Sequence, residues 1–115
     1  MNKWYTRTVF FVEDVQASLE FYIGKLGFEV DWRNDDVEEL LVAQVSRDSC
    51  EIILNKGDGY HGKGRIFISL FDEHVEPLKQ KIEDSGVVTT NRQWGMPVTE
   101  ILDIDGNELF FSPQL

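Results

Sequence analysis

Cysteine, histidine, proline and basic side chains are all scarce in this sequence. It has one cysteine, two histidines and three prolines, and its 11 Lys and Arg are outnumbered by 21 Asp and Glu. The single Cys50 excludes an internal disulfide, so we expect the cytoplasm as the compartment. No apolar run approaches the roughly 20 residues of a membrane-spanning helix, and the first residues lack the apolar stretch of a signal peptide. We therefore expect neither a membrane partner nor a cleaved leader.

The shortage of basic residues also excludes a class of partner. The formal net charge is −10, whereas nucleic-acid binding depends on Lys and Arg that neutralise phosphates. We expect no nucleic-acid partner, and the charge favours neutral or cationic small molecules. With 42% hydrophobic residues in a chain of 115, the composition is that of a single globular domain, residues 1–115.

The first half of the chain has the pattern of a strand, a helix and three more strands. Asp14 is placed to cap a helix whose apolar stripe extends to Leu26, and Gly27 is placed to end it. The strands are predicted from β-branched and aromatic residues, with a turn between the last two at Arg47 and Asp48. The predicted strands are 5–12, 28–32, 37–45 and 49–55.

The same order returns after a glycine-rich loop at 57–64, "GDGYHGKG". Asp72 is placed to cap a second helix and Gly86 to end it, while Pro77 predicts a start one or two residues later. The last hairpin, "WGMPVTEILDIDGNELFF", contains the turn sequence Asp-Gly-Asn. The predicted strands are 65–71, 87–90 and the two arms of the hairpin 94–111.

The helix signals repeat at a nearly constant offset. Asp14 and Asp72 are 58 residues apart, and Gly27 and Gly86 are 59 apart. An offset of half the chain predicts two copies of a βαβββ unit, at about 4–56 and 65–113. Since one such unit leaves a sheet face bare, two would pack as a pair. We expect an α+β fold in which eight strands form a curved mixed sheet around a cleft, with the helices outside.

Two segments resemble a known family. "FFVEDVQASLEFYIGKLGFEV" is similar to the first unit of the glyoxalase/bleomycin-resistance/dioxygenase superfamily, also called the vicinal oxygen chelate family. "QWGMPVTEILDIDGNELFF" is similar to its last hairpin, in which Trp-Gly precedes a strand and Asp-x-Asp-Gly-Asn forms the turn. The resemblance covers essentially the whole chain and implies the paired βαβββ fold. Because this fold hosts both enzymes and binding proteins, it implies no single activity.

The resemblance allows a test for the metal that enzymes of this superfamily hold on four strands. It carries the four ligand positions to Arg7, Ile53, Ile66 and Phe110. None is a plausible ligand, since hydrocarbon side chains have no donor atoms and a guanidinium has only N–H groups. A one-residue slip would bring Glu51 or Glu108 into the cleft, but it would also turn over the rest of each strand. We expect no metal, no other cofactor and no catalytic residue there.

The aromatic residues are the part of the resemblance that indicates a function. In the bleomycin-resistance branch a ligand lies in a groove lined by rings, and the bordering positions match Trp94 and Trp32. Rings stack on flat heterocycles and attract cations, and the acidic Asp31, Asp35 and Asp36 would add attraction for a basic ligand. Four phenylalanines in alternating strands are expected in the core: Phe10, Phe67, Phe71 and Phe111.

Other candidate ligand-binding residues follow from the same alignment. Phe110 and Ile66 would form an apolar floor, and Glu108 lies beside them on the last strand. Arg7 would hold a carboxylate or phosphate of a ligand, or pair internally with Glu108 or Glu100. His61 in the glycine-rich loop either reaches the ligand or only faces solvent.

The leading hypothesis is a metal-free protein of the bleomycin-resistance type that sequesters a small, aromatic or cationic molecule such as an antibiotic. The resemblance implies a homodimer with clefts completed at or near the subunit interface. The alternative is a lyase, isomerase or dioxygenase of the same superfamily with a non-standard metal site. That alternative needs Glu51, Glu100, Glu108 or His61 to converge. A third reading, a closed cleft in an assembly or regulatory protein, also remains open.

Overall fold

The fold was analysed in a computed structural model, which describes residues 4–34 and 38–115. It contains two helices and eight strands within these ranges, in the predicted order. The elements are β1 Thr8–Val12, α1 Val15–Leu26, β2 Glu29–Arg33, β3 Val42–Arg47, β4 Cys50–Lys56, β5 Arg65–Ser69, α2 Asp72–Ser85, β6 Thr90–Gln93, β7 Pro97–Leu102 and β8 Glu108–Ser112. Neither helix is long and apolar enough to cross a membrane.

The strands form two sheets of the same design. The N-terminal sheet has the order β1-β4-β3-β2 and the C-terminal sheet the order β5-β8-β7-β6. In each sheet the first and last strands pair in parallel and the other neighbours are antiparallel. The predicted α+β class and the two βαβββ modules are confirmed. The strands form two four-stranded sheets, whereas the sequence led us to expect one continuous sheet.

The ends of α1 follow the sequence signals. The Asp14 carboxylate accepts a hydrogen bond of 3.1 Å from the Ala17 amide, and Gly27 ends the helix with a left-handed φ of 77°. Helix α2 begins differently, because Phe71 is its N-cap residue and Asp72 its first helical residue. The acid at Asp72 still suits the positive end of the helix dipole. The expected start one or two residues after Asp72 is wrong, because the helix begins at Asp72 and Pro77 lies inside it.

One buried core is shared by both modules. It contains apolar side chains from both helices and from one face of each sheet, which we call the inner face. The helices contact each other, and the Lys25 ammonium of α1 donates to the Ser85 carbonyl of α2 over 3.1 Å. The helices therefore pack on the sheet faces opposite the open ones, which agrees with the expected position outside a cleft. Each sheet keeps an opposite, open face.

The turn between β7 and β8 joins the two modules. The buried Asp103 carboxylate accepts hydrogen bonds from the Tyr22 hydroxyl of α1 over 2.9 Å and from the Asn107 side chain over 3.0 Å. Asn107 in turn donates to the Phe11 carbonyl of β1 over 3.2 Å and accepts from the Gly64 amide over 2.8 Å. The hairpin end thus fixes β1, α1 and the 57–64 loop in one place.

Candidate functional site

The open faces of the two sheets carry equivalent residues at equivalent positions. Arg7 stands just before β1 and lies next to Glu51 of β4, with 3.9 Å between its Nε and the carboxylate. Arg65 begins β5 and pairs with Glu108 of β8, to which it donates over 2.8 Å and 3.1 Å. Each sheet therefore presents an arginine–carboxylate pair at the start of its two parallel strands.

A cluster of three rings occupies the C-terminal open face. The Trp94 ring centroid lies 5.2 Å from that of Phe110 and 5.6 Å from that of Phe67. Phe110 is 2% exposed, whereas Phe67 and Trp94 are 36% and 45% exposed. The Arg65 guanidinium lies 4.9 Å from the Phe110 centroid and 5.7 Å from that of Trp94. The cluster thus has a buried base, an exposed indole and one cation already at its edge.

A tight turn places the indole of Trp94 over the sheet. Gly95 has a φ of 70°, a left-handed conformation that favours glycine. The Trp94 amide donates to the Met96 carbonyl over 2.9 Å, which closes the turn between β6 and β7. The Trp-Gly pair in the sequence therefore positions the ring.

Carboxylates on the C-terminal open face are matched by guanidinium groups. Glu100 is 4% exposed and lies 3.1 Å from the Arg92 Nε, in a contact too poorly aligned to count as a hydrogen bond. Burial raises the pKa of Glu108, but hydrogen bonds with Arg65 and Glu100 and the charges of Arg65 and Arg92 outweigh it. The net result is that the pKa of Glu108 is lowered from its usual 4.5, so Glu108 is an ionised partner of Arg65 at neutral pH.

The N-terminal open face has a polar network in place of the ring cluster. The buried Gln44 amide donates to Asp31 over 2.9 Å and to Glu51 over 3.3 Å, and its oxygen accepts from Arg7 over 3.4 Å. Trp32 is the register partner of Gln44 and stays 40% exposed. A bulge between Val30 and Trp32 brings Asp31 to the same face. This face offers hydrogen bonds and a single exposed indole.

The predicted site residues fall into four groups. Trp94, Phe110 and Glu108 lie together on the C-terminal open face, whereas Arg7 and Trp32 each lie beside Gln44 on the N-terminal one. Ile66 lies on the inner face beside Leu109 and packs against the core. His61 lies with Glu13 and Asp105 near the β7–β8 turn. Asp35 and Asp36 lie outside the described residues.

Three expectations about individual side chains need correction. Arg7 pairs with Glu51, and its guanidinium also donates to the Tyr5 hydroxyl, so neither Glu100 nor Glu108 is its partner. Phe67 and Phe71 are exposed and do not belong to the core. Phe71 is the N-cap of α2, and Phe67 faces Trp94 because it alternates with the inward Ile66 and Ile68. Phe10 and Phe111 are buried as expected.

Sequence reasoning missed Arg65, Gln44 and Arg92, which organise the two open faces. A signal for Arg65 was present, because Arg7 and Arg65 are 58 residues apart, the same offset as the helix-capping acids. Glu51 and Glu108 are separated by 57 residues and follow the same repeat. Gln44 and Arg92 had no comparable signal, because their contacts depend on strand pairing that the sequence does not specify.

The residues on the open faces do not fit the metal site of the superfamily's enzymes. Ile53 and Phe110 have no donor atoms, Ile66 faces the core, and Arg7 has only N–H groups. The nearby carboxylates Glu51, Glu108 and Glu100 each lie against an arginine. We therefore assign no metal chemistry to these faces.

Cys50 does not supply a nucleophile either. It borders a cavity of about 170 Å³ between the β3–β4 turn and the start of α2. Burial raises the pKa of the Cys50 thiol to about 11, so it stays protonated at neutral pH. A thiol in that state is a small apolar side chain.

The protein belongs to the class of paired βαβββ proteins. Each of its two modules has one open sheet face with an arginine–carboxylate pair, and the C-terminal face also has the ring cluster. The profile of the Glyoxalase/Bleomycin resistance protein/Dioxygenase superfamily matches residues 4–111. The chain belongs to this superfamily. No curated protein gives a significant sequence match.

Solved structures with the same fold include antibiotic-binding proteins and resistance proteins. A bleomycin-binding protein from bleomycin-producing Streptomyces verticillus, complexed with copper(II)-bleomycin, has a TM-score of 0.76 and 19% identity over 96% of this chain and 97% of that one. TnmS3, an antibiotic binding protein from Streptomyces sp. CB03234, has a TM-score of 0.72 and 20% identity over 96% of both chains. A mutant of the fosfomycin resistance protein FosX from Listeria monocytogenes has a TM-score of 0.68 and 15% identity over 100% of this chain and 93% of that one. At such identities the similarity is one of fold.

Proposed function

We propose that the protein binds a flat aromatic molecule, preferably a cationic one, and sequesters it without chemical change. The observation that carries this proposal is the ring cluster of Trp94, Phe67 and Phe110 on an open sheet face. Because Phe110 is buried beneath an exposed Trp94, a planar ligand can stack on the exposed part of the indole. Two proteins of the same fold are named as binding proteins for bleomycin or another antibiotic, which supports a small-molecule ligand.

Charge favours a cationic ligand. The Arg65 guanidinium at the edge of the ring cluster is neutralised by its ion pair with Glu108. On the other sheet, Arg7 faces both Glu51 and Asp31, so carboxylates exceed guanidinium groups there. With a net charge of −10 on the whole chain, a cation is drawn toward the protein and an anion is repelled.

We further propose that a homodimer completes the binding cleft. Both open faces expose large apolar side chains, and a second copy could cover them: Val9, Phe11, Trp32, Phe67, Trp94 and Met96. In a two-fold dimer, the N-terminal face of one chain can lie opposite the C-terminal face of its partner, and symmetry repeats the contact. The polar network around Gln44 and the rings around Trp94 would then line the same cleft.

Trp fluorescence and thermal unfolding provide the test. The protein has three tryptophans, and planar cationic heterocycles such as acridinium and phenanthridinium dyes should quench Trp94 and raise the melting temperature. The variant Trp94→Leu should lose most of both effects. Trp4 is almost fully exposed outside the strands, so Trp4→Phe is the matched control and should bind as the unchanged protein does.

Two results would contradict the proposal. One is a wide panel of cationic and neutral heterocycles of which none shifts the melting temperature. The other is a bound metal in the purified protein whose removal abolishes turnover of a substrate, because this would favour the enzyme alternative. Sedimentation at several concentrations tests the dimer separately. A monomer that still binds dye would contradict the dimer but not the binding proposal.

A further inference from the structure

A second candidate site lies away from the open sheet faces, where the two modules meet. Glu13 just before α1, His61 of the 57–64 loop and Asp105 of the β7–β8 turn each offer one ligand atom, and these atoms lie within 4.8 Å of one another. Among the described residues, these three are the ones whose possible metal-ligand atoms lie this close together. Its members come from three separate parts of the chain.

Two of these side chains have buried atoms without a hydrogen-bond partner. They are the Nδ1 of His61 and the Oδ2 of Asp105. The other carboxylate oxygen of Asp105 accepts from the Glu13 amide over 3.0 Å, which fixes the orientation of the carboxylate. A buried polar atom without a hydrogen-bond partner destabilises the folded state. A ligand that contacts both atoms would remove this destabilisation.

The backbone around His61 is held close to the turn. Gly62 has a φ of 79°, and a Cβ placed there would lie 2.0 Å from the Asp105 carbonyl oxygen, so only glycine permits this approach. The Gly62 amide donates to the Phe11 carbonyl over 3.2 Å, and Gly64 donates to Asn107 over 2.8 Å. These two contacts hold the loop against β1 and the β7–β8 turn directly after His61, and the Glu13 amide orients the Asp105 carboxylate.

The surroundings are strongly acidic. Glu13 and Asp105 also line a groove that passes between the start of α1 and the segment before β3. Its charged lining contains six carboxylates and one ammonium: Glu13, Asp14, Glu38, Glu39, Asp58, Asp105 and Lys56. The Lys56 ammonium is itself paired with Glu39. This groove attracts cations and leads them to the cluster.

We propose that Glu13, His61 and Asp105 bind a divalent first-row transition-metal ion, with Zn²⁺ as the probe. An imidazole with two carboxylates suits such ions, whereas Ca²⁺ and Mg²⁺ prefer oxygen ligands alone. Zinc bonds of about 2.0–2.2 Å place tetrahedral ligand atoms about 3.4 Å apart, so atoms that start within 4.8 Å of one another close by at most about 1.4 Å. The site is distinct from the superfamily's usual metal positions. The ion would tie α1, the 57–64 loop and the β7–β8 turn together.

Calorimetry with the tag-free full chain tests this site. Zn²⁺ should bind at one ion per chain and raise the melting temperature, while Ca²⁺ at the same concentration should not. His61→Gln, Asp105→Asn and Glu13→Gln should each weaken Zn²⁺ binding by about 10–100-fold or more, since even partners of metal ligands contribute that much. Because Glu13 is exposed, its variant tests the site even if the other two fail to fold. The only other histidine, His74, gives the matched control His74→Gln, which should bind as the unchanged protein does.

The opposite pattern would overturn the inference. No Zn²⁺ binding at millimolar concentration would mean that the two buried atoms are satisfied by water alone. Binding that survives His61→Gln but is lost in His74→Gln would place the ion at α2. Neither result depends on dye binding at the ring cluster, so the two proposals fail separately.

Discussion

The two halves of the molecule use the same backbone for different surfaces. Arg7 and Glu51 in the first half correspond to Arg65 and Glu108 in the second, in equivalent registers. On the adjacent strands β3 and β7, the N-terminal face has Gln44 where the C-terminal face has Glu100. On the parallel strand pair itself, Val9 and Ile53 correspond to Phe67 and Phe110. The charge pair is therefore repeated, whereas the apolar positions are aliphatic in one half and aromatic in the other.

The difference separates two tasks that a binding cleft must combine. Rings supply broad contact area and stacking, and an amide held by several partners supplies directional hydrogen bonds. A cleft built from one face of each kind would hold a flat ligand on one side and orient it on the other. Substitutions at equivalent positions can measure how unequal the halves are.

The largest difference is expected between Phe110 and its counterpart Ile53. Phe110→Ala removes a buried ring beneath Trp94 and Arg65 and should lower the free energy of unfolding by about 4 kcal/mol. Ile53→Ala should cost about 2 kcal/mol, because this side chain is already partly exposed on a face without a ring cluster. Urea unfolding of both variants gives the comparison. Equal losses would mean that the ring cluster adds nothing beyond ordinary burial.

The two hairpin turns should differ almost as much. Asp103 in the β7–β8 turn accepts hydrogen bonds from Tyr22, Asp105 and Asn107, whereas Asp48 lies in the exposed β3–β4 turn. Asp103→Asn replaces an acceptor by an N–H donor among these donors and should cost about 2 kcal/mol of unfolding free energy. Asp48→Asn should change it by less than about 0.5 kcal/mol, since Asn tolerates the φ of 53° there. A small effect at Asp103 would show that the hairpin does not join the modules.

The sequence predicted the fold well where a local signal was strong. Helix α1 has a side-chain cap, an apolar stripe and a C-terminal glycine, and all three appear as expected. Strand β6 was expected at 87–90 but spans Thr90–Gln93, because all its residues are exposed and no apolar alternation marks its register. Strand β3 was expected to begin at residue 37, but it begins at Val42. The segment "VEELL" has no alternation of apolar and polar residues that would mark the start of the strand.

The candidate site was less predictable because it depends on which face of a strand points inward. Alternation in "RIFISLF" places Arg65 and Phe67 on one face and Ile66 and Ile68 on the other, but it does not say which face is buried. Packing against the helices decides this and leaves Phe67 beside Trp94. The group of Glu13, His61 and Asp105 is harder still, since its members lie up to 92 residues apart along the chain.

Ligand binding should distinguish the two exposed indoles. Trp94→Leu removes the top of the ring cluster and should weaken binding of a stacking dye about tenfold, or about 1.4 kcal/mol. Trp32→Leu should weaken it by about threefold, because Trp32 has a polar neighbour in Gln44 and no ring cluster beneath it. Dye titrations followed by fluorescence polarisation measure both. A larger loss at Trp32 would move the stacking surface to the N-terminal half.

The smallest difference is expected between the two arginine–carboxylate pairs. Arg65 contacts Glu108 at 2.8 Å, whereas Arg7 lies 3.9 Å from Glu51. A double-mutant cycle with Arg65→Gln and Glu108→Gln should give a coupling of about 0.5 kcal/mol at pH 7, and the Arg7 and Glu51 cycle should give less. Since the folded-state pKa of Glu108 lies below 4.5, its contribution is present above that pH and is lost as the pH falls through the lowered pKa. Coupling for Arg65 and Glu108 that never decreases on acidification, even where Glu108 is shown to be protonated, would show that the pair is not held by charge.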